Sequence, residues 1–415
     1  MRSRPGLPPA LPTSWLLLAL VLAAAAPSAG QEPPGVEPPP APLESFPEAP
    51  PESPAVTGVT ESSPPGTLPS PAWGPVSLLG MDVAPGDKRR VFLRSSESFA
   101  GTGVDTPVLI TRGLEAGPVL CATAGVHGDE LNGIEVVRSV YEHTSPRGLS
   151  GMLVAIPIVN IHGFRRSSRY LPDRRDLNRF FPGHPAGSSA SRIAWSVWDG
   201  VMSVCDVLVD FHTGSFHRTN MPQVRADLRR PGLVDLAKTF GVGIVIHSVG
   251  RPGTLRRTAS ERGIQAITFE AGEPMRFQND EIDRGARGLR NLMAELGMLR
   301  GARRGPRSPL VFQRSTWVRV DDGGIFITDR ELGDRVRAGD RLGTVTDPVS
   351  NERSEIRATV TGRVIGMAVS QVVIPGFAAF HIGVDAPTPD EGPPPAPGQP
   401  DSIPPDQLDP EEMPE

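Results

Sequence analysis

Residues 207–214 have the sequence VLVDFHTG, an apolar run that ends in histidine, threonine and glycine. Similar apolar runs occur at PVLCATAGV (118–126), MLVAIPIV (152–159) and IQAITFE (264–270). Amphipathic stretches with helical spacing, such as LNGIEVVRSVYEH (131–143), lie between them. Near-continuous apolar strands that alternate with helices are typical of a parallel or mixed sheet covered on both faces. The sequence therefore predicts an α/β domain with a mixed sheet flanked by helices.

A different pattern begins after the glycine- and arginine-rich segment GARRGPRSP (301–309). Short β-like pieces separated by turns follow, including TWVRV (316–320) and AAFHIGV (378–384). This spacing predicts a small C-terminal all-β domain. We place the catalytic domain at residues 76–305 and the β domain at residues 306–386.

The two ends of the chain lack the composition of a folded core. Residues 1–30 begin with basic residues, continue with an apolar run from Trp15 to Ala26 and end in small residues, as secretory signal peptides do. The apolar run is shorter than the roughly 20 residues of a membrane-spanning helix, which disfavours a transmembrane anchor. Residues 31–75 and 387–415 are rich in proline and predict a disordered linker and a disordered acidic tail. We expect export to the periplasm or the extracellular space, without stable membrane insertion after cleavage.

The charge and the cysteine count limit the class of partner. A formal net charge of -5 argues against a nucleic-acid partner. Cys121 and Cys205 are the two cysteines, and both lie in or beside apolar runs. Their surroundings favour buried apolar side chains over a disulfide framework, although an oxidising compartment leaves a single bridge open. The sequence leaves the oligomeric state open.

Candidate metal ligands follow two of the predicted strands. His127 and Glu130 lie three residues apart after the first strand, and His212 directly follows residues 207–211. Strand ends meet at one edge of an open α/β sheet, so these side chains can converge on one cation. Alone, the His127–Glu130 pair is better explained by a favourable charge of Glu130 at a helix N-terminus and a loop-capping role of His127. Two histidines and one carboxylate form the ligand set of a catalytic zinc, and we expect one zinc ion per chain.

Two further features of this edge suit hydrolysis. Glu270 ends the strand of residues 264–269, where a carboxylate can take a proton from water and pass it to a leaving nitrogen. The loop SRYLPDRRDLNRFFPG (168–183) combines arginines with apolar and aromatic anchors. Guanidinium groups bind carboxylates and stabilise oxyanions. An ordinary strand-end charge and a solvated basic loop are the alternatives.

These motifs together resemble the succinylglutamate desuccinylase and aspartoacylase family, whose members have a zinc-carboxypeptidase-like fold. The resemblance is greatest to the generic bacterial branch of the family. The segments that carry the resemblance stand in family order: GVHGDELNG (125–133), the arginine loop (168–183), DFHTGSFHRTNMPQVRADL (210–228) and TFEAGEPMRF (268–277). The resemblance extends over residues 105–385 and includes the β domain.

The resemblance implies a role for each candidate residue. His127, Glu130 and His212 are similar to the zinc ligands of the family, and Glu270 to its general base, which later serves as the acid. Arg169 is similar to the arginine that polarises the scissile carbonyl. The positions that resemble substrate-binding residues are Asn178, Arg179 and Arg256. The implied activity is hydrolysis of the amide bond of an N-acyl amino acid or a related small carboxylate-bearing substrate.

The chain also departs from the family pattern. Family members that act on acetyl-aspartate use tyrosines near the pocket, whereas Tyr141 and Tyr170 are the only tyrosines here. The resemblance therefore does not extend to that substrate. The β domain resembles a biotinyl- or lipoyl-like fold but contains no lysine, so we expect a lid or pocket wall rather than a cofactor carrier.

Two other functions remain open at this stage. One is a metallocarboxypeptidase that acts on peptides or on cell-wall stem peptides, which export would suit. The other is a non-catalytic binding protein that retains the zinc pocket. The sequence identifies neither the acyl group nor the amine of a substrate.

The signal-peptide hypothesis predicts a shortened mature chain. After expression in a bacterial host with a general secretory pathway, the released protein should begin near Gly30 or Gln31, because the small residues there suit a signal peptidase. Intact-mass measurement of the soluble fraction checks this. A full-length chain retained in the membrane fraction would instead support the anchor.

Overall fold

The computed structural model of the chain describes residues 76–97, 103–301, 308–369 and 371–385. The predicted signal peptide, linker and acidic tail lie outside these residues. All described residues belong to one compact unit.

The described part of the chain alternates strands and helices up to residue 301 and contains strands after it. The strands of the first part are β1 (Val76–Leu78), β2 (Met81–Val83), β3 (Lys88–Glu97), β4 (Gly103–Arg112), β5 (Glu115–Ala124), β6 (Ser150–Ile156), β7 (Val207–His212), β8 (Arg218–Ala226), β9 (Ile244–His247) and β10 (Gln265–Gly272). Its helices are α1 (Asn132–Glu142), α2 (Ile161–Arg165), α3 (Ser189–Gly200), α4 (Leu233–Phe240), α5 (Leu255–Glu261) and α6 (Asn279–Glu295), with 3-10 turns at Pro146–Gly148, Leu177–Arg179 and Met202–Val204. The later strands are β11 (Leu310–Phe312), β12 (Ser315–Arg319), β13 (Gly324–Thr328), β14 (Arg335–Val336), β15 (Arg341–Thr346), β16 (Arg353–Arg357), β17 (Gly362–Ala368), β18 (Val372–Val373) and β19 (Ala378–Val384).

The central sheet mixes parallel and antiparallel neighbours. Its strand order is β12-β19-β17-β8-β10-β7-β5-β6-β4-β3, with β9 beside β8 and β11 beside β9. Strands β6, β5, β7 and β10 run parallel to one another. Strands β4 and β8 flank this group in antiparallel pairs. The predicted α/β class with a mixed sheet is therefore confirmed.

Each face of the sheet has its own apolar core. In β5, Leu120 and Ala122 belong to one cluster, whereas Val119 and Cys121 belong to the other. The first cluster includes the apolar sides of α1, α4 and α6, and the second includes those of α3 and α5. Because successive strand residues point to opposite faces, helices cover the sheet on both sides, as the sequence predicts.

The parallel strands bring the candidate site residues to one edge. Glu270 in β10 is the direct register partner of His212 in β7. Phe211 in β7 pairs with Ala124, the last residue of β5, and His127 follows three residues later. The carboxyl ends of β5, β7 and β10 therefore lie side by side, where open α/β sheets place their ligands.

The C-terminal residues form the predicted β structure, and part of it extends the central sheet. Strands β16, β15, β13 and β18 make a separate four-stranded sheet around a common apolar cluster. Strand β17 pairs with β8 of the catalytic domain through Gly366, Met367 and Ala368. Strand β11 lies beyond the predicted boundary at residue 305 yet pairs with β9. The sheet is thus continuous across the two predicted domains.

The two cysteines form a disulfide, which corrects the preference for unbonded side chains. Cys121 and Cys205 have a Cα–Cα distance of 5.8 Å, and both are buried. Cys121 lies opposite Leu208 of the adjacent strand β7, and Cys205 stands just before β7. The pairing of β5 with β7 brings these two segments, which are distant in the sequence, close enough for the sulfurs to bond. Local sequence patterns did not reveal this pairing.

Within the described residues, no helix has the length and apolar character needed to cross a bilayer.

The disulfide predicts a redox-dependent stability. It closes a loop between residues 84 positions apart. Replacing both Cys121 and Cys205 by alanine should lower the free energy of unfolding by about 2–5 kcal/mol, because the unfolded chain gains conformational freedom. Urea denaturation measures this, and dithiothreitol should destabilise the wild-type protein but not the variant. Equal reductant sensitivity of the two would show that the bridge is not formed.

Candidate metal centre and active site

The segment between β5 and α1 positions the first two candidate ligands. Gly128 lies against the backbone of α2, where an added Cβ would come within 2.0 Å of the Gly163 carbonyl carbon. Only glycine fits such a close approach. The tight segment directs His127 and Glu130 inward, and both are 1% exposed.

The three predicted ligands converge on one point. The two oxygens of Glu130 divide between the histidines, with Oε1 2.8 Å from His127 Nδ1 and Oε2 2.8 Å from His212 Nδ1. The two Nδ1 atoms are 3.1 Å apart. The three groups can each offer one ligand atom within 4.8 Å of the others. The backbone N–H of Thr213 also donates to Glu130 Oε2, at 3.1 Å.

Carboxylates hold the outer nitrogen of each histidine. His212 Nε2 lies 2.8 Å from Asp210 Oδ2, and His127 Nε2 lies 3.2 Å from Asp176 Oδ1. A carboxylate accepts hydrogen bonds, so each Nε2 carries a proton, and the Nδ1 that faces Glu130 is the nitrogen that would bind a metal after losing its own proton. This carboxylate–histidine arrangement is the one that metal-binding histidines generally have.

The electrostatics favour the ionised form of the central carboxylate. Burial by itself would raise the pKa of Glu130, but His127 and His212 lower it below the usual range. Burial opposes the charged form of His212 as well, yet Asp210 and Glu130 raise its pKa well above the ordinary value. The cluster therefore combines a buried carboxylate with imidazoles that neutralise it. Two nitrogens and one carboxylate oxygen form a donor set that fits Zn²⁺.

The predicted arginine loop contributes directly to this cluster. Arg169 is 4% exposed, and its Nη1 donates to Glu130 Oε1 at 3.2 Å. Its Nη2 donates to Asp176 Oδ2 at 2.9 Å. Burial would raise the pKa of Asp176, but Arg169 and His127 lower it well below the usual value. Asn160 caps α2 and donates to the Arg169 carbonyl at 3.4 Å, which fixes the start of the loop.

Glu270 lies at the same edge, held by the neighbouring strand β8. Its Oε2 accepts a hydrogen bond from the Asn220 side chain at 2.7 Å. The Arg225 guanidinium lies 3.2 Å from the same oxygen. Glu270 is 2% exposed, so these partners hold its carboxylate in a desolvated position.

The predicted substrate-binding residues surround the opening. Asn178 Oδ1 accepts from the backbone N–H of Leu255 at 2.8 Å, which leaves its amide nitrogen as the donor for a ligand. Arg179 Nη2 lies 3.7 Å from Asp176. Arg256 donates to the Ser248 carbonyl at 2.8 Å.

One pocket joins these groups. It is partly open to solvent. The predicted site residues that line it are His127, Arg169, Asn178, Arg179, His212, Arg256 and Glu270. Glu130 lies behind both histidines. Within the described part of the chain, the lining comes from the catalytic domain alone, so the β domain does not form the expected pocket wall.

Sequence reasoning did not assign roles to four residues of this pocket or its supports. Asp176 lies in the arginine loop, two positions before Asn178. Its position in the sequence does not predict the contact with His127. Asn220, Arg225 and Ser248 come from β8 and the segment after β9. The roles of Asn220 and Arg225 depend on the antiparallel pairing of β8 with β10, and the place of Ser248 depends on the pairing of β9 with β8. Local patterns reveal neither pairing.

Comparisons with known proteins agree with the fold and with the family that the sequence resembles. A profile of the succinylglutamate desuccinylase/aspartoacylase catalytic domain matches residues 116–296. The N-alpha-acetyl-L-2,4-diaminobutyric acid deacetylase of Halomonas elongata is 25% identical over 266 residues, which cover 61% of this chain and 77% of the deacetylase.

Solved structures show the same architecture. A succinylglutamate desuccinylase from Silicibacter sp. TM1040 is 25% identical, with a TM-score of 0.67 over 75% of this chain and 98% of that one. The product-bound ectoine utilization protein EutE from Ruegeria pomeroyi is also 25% identical, with a TM-score of 0.68 and the same coverage of both chains. The fold and site thus define a hydrolase of the amide-bond deacylase class. Residues 116–296 belong to the succinylglutamate desuccinylase/aspartoacylase family, whose catalytic domain they match.

The hydrogen bond between Asp210 and His212 predicts a contribution to metal affinity. Asp210→Asn should weaken zinc binding about 10- to 100-fold, because the histidine loses the partner that fixes its tautomer and raises its basicity. Competition with a chromophoric chelator measures the affinity. Asp199→Asn, on the exposed side of α3, is the matched control. Equal affinities of the two variants would contradict this role.

Proposed function

We propose that the chain is a zinc-dependent hydrolase that cleaves the amide bond of an N-acyl amino acid or a related small carboxylate-bearing substrate. The observation that carries the proposal is the convergence of His127, Glu130 and His212 beside Glu270 in one pocket. The relatives include a deacetylase of an acetylated amino acid and a desuccinylase, which supports a substrate of this chemistry.

Different residues of the pocket suit different steps of hydrolysis. His127, Glu130 and His212 would hold one Zn²⁺, which supplies a Lewis acid and lowers the pKa of water at the site. Glu270 takes a proton from the attacking water and returns it to the leaving nitrogen. Asn220 holds one oxygen of that carboxylate at 2.7 Å, so its orientation is set before the substrate binds.

Arg169 suits the stabilisation of negative charge on the carbonyl oxygen. Its guanidinium is buried beside the proposed metal ligands and is oriented by Asp176. A fixed cation in a site that excludes water acts more strongly on a developing oxyanion than one in solvent. The geometry therefore supports the carbonyl-polarising role.

The charge of the pocket favours an anionic substrate. Arg179, Arg225 and Arg256 line it in addition to Arg169. Guanidinium groups bind carboxylates through paired hydrogen bonds. With the Asn178 amide nitrogen, Arg179 and Arg256 would hold the carboxylate of the amino acid and leave the acyl group toward the zinc ligands.

Export to an oxidising compartment is part of the proposal. The Cys121–Cys205 disulfide supports it, because such bonds persist mainly in secreted or periplasmic proteins of mesophiles. Reducing compartments would keep these thiols apart. The apolar leader of the sequence points to the same location.

A substitution at Glu270 tests the mechanism. Glu270→Gln should retain stoichiometric zinc but lower kcat by about 100- to 10,000-fold, because the amide cannot accept the proton. Metal analysis and an assay with a panel of N-acyl amino acids measure both properties. Glu273→Gln, at an exposed ion pair with Arg276, is the matched control and should retain activity.

Two outcomes would contradict the proposal. Retained turnover in Glu270→Gln would remove this residue from the proton transfer. Activity toward C-terminal peptide substrates, with none toward N-acyl amino acids, would instead identify a metallocarboxypeptidase.

A further inference from the structure

A series of ring and guanidinium contacts connects the pocket with the C-terminal β domain. The guanidinium carbon of Arg169 lies 5.1 Å from the centroid of the Phe216 ring, and that of Arg218 lies 5.4 Å from the same centroid. Arg218 also lies 4.9 Å from the Trp317 ring. The Trp317 and His381 rings stack, with centroids 4.4 Å apart and planes inclined by 6°. We name these five residues the stacking chain.

The stacking chain passes from one predicted domain to the other. Arg169 belongs to the pocket, Phe216 to the connection between β7 and β8, and Arg218 to the start of β8. Trp317 and His381 belong to strands β12 and β19. Phe216 is 37% exposed, whereas the other members are at most 7% exposed. Cation–ring attraction is strongest where water is excluded, so the buried Arg218 is a firm support for the Phe216 ring.

The backbone that carries Phe216 has an unusual conformation. Phe216 and His217 have φ values of 52° and 58°, in the left-handed region that residues other than glycine seldom adopt. The β domain contacts this backbone directly: the N–H of Val369 donates to the His217 carbonyl at 2.8 Å, and Ala368 pairs with Arg218. Contacts from the β domain therefore help to maintain the conformation.

We propose that Phe216 and Arg218 are positioning residues through which the β domain fixes the guanidinium of Arg169. The ring of Phe216 covers Arg169, and Arg218 holds that ring while packing against Trp317. The β domain thus acts on the pocket without lining it. The catalytic part of this inference rests on the carbonyl-polarising role proposed for Arg169.

Hydrogen-exchange mass spectrometry tests the mechanical link without requiring turnover. In Phe216→Leu and in Trp317→Leu, amides of residues 166–171 should exchange about three- to thirtyfold faster than in the wild-type protein, as expected from losing one cation–ring contact. Phe216→Tyr keeps the ring and should exchange like the wild type.

The chain offers a matched control for the loss of a ring. Trp198 pairs with Arg262 at 5.0 Å, a similar contact outside the stacking chain. Trp198→Leu should leave exchange of residues 166–171 unchanged. Phe216 is partly exposed, so Phe216→Leu tests the link even where Trp317→Leu disturbs the β domain itself.

Kinetics test the effect on Arg169. In zinc-loaded protein, Phe216→Leu and Arg218→Lys should each lower kcat about three- to thirtyfold, while KM changes little, because Arg169 acts on the reacting carbonyl. Phe216→Tyr should restore kcat. In an Arg169→Met background, Phe216→Leu should cause no further loss, since its effect passes through the missing guanidinium.

The outcomes separate this inference from the proposed function. Unchanged exchange of residues 166–171 in a stably folded Phe216→Leu variant would overturn the inference, whatever the activity. Faster exchange with wild-type kcat in an active enzyme would also overturn it. Wild-type protein that binds zinc but hydrolyses no N-acyl amino acid would refute the proposed function, whereas the exchange result would still decide the mechanical link.

Discussion

The burial of the Glu130 carboxylate is the constraint on which the site depends. A charged carboxylate removed from water is costly unless opposite charges and hydrogen bonds compensate it. His127 and His212 take one oxygen each, and the Thr213 backbone adds a donor. The histidines in turn need carboxylates at their outer nitrogens. These linked requirements explain why several charged groups gather at a buried sheet edge, and the same requirements make a site suitable for a divalent cation.

Strand β8 connects this site with the rest of the molecule. On one side it pairs with β10, and its Asn220 and Arg225 hold the Glu270 carboxylate. On the other side it pairs with β17 of the β domain. Glu270 and Arg169 thus both depend on the segment that begins at Gly214, although they lie on different elements. A single strand can transmit the packing of the β domain to both groups because the sheet is continuous.

The sequence predicted the elements that local patterns encode. Apolar runs ending in His212 and Glu270 predicted two strands. They also predicted that the candidate site residues lie at the carboxyl ends of these strands, because parallel strands of an open sheet share that edge. The Asp176–His127 contact and the place of Arg225 could not be predicted, since they depend on loop conformation and on the pairing of β8 with β10. The sequence left the disulfide open but did not favour it, for the same reason. Its cysteines meet only because β5 and β7 are neighbours.

The arginines of the pocket have two different physical situations, and this difference limits their roles. Arg169 forms ion pairs with two carboxylates of the metal cluster, those of Glu130 and Asp176. Its charge therefore stabilises that cluster. Arg256 is instead oriented by the carbonyl and hydroxyl oxygens of Ser248. The contact of Arg169 with Glu130 places its guanidinium beside the proposed metal ligands, which fits its proposed role at the reacting carbonyl. Arg256 lines the same pocket from helix α5, which fits its proposed role of holding the carboxylate of the amino acid.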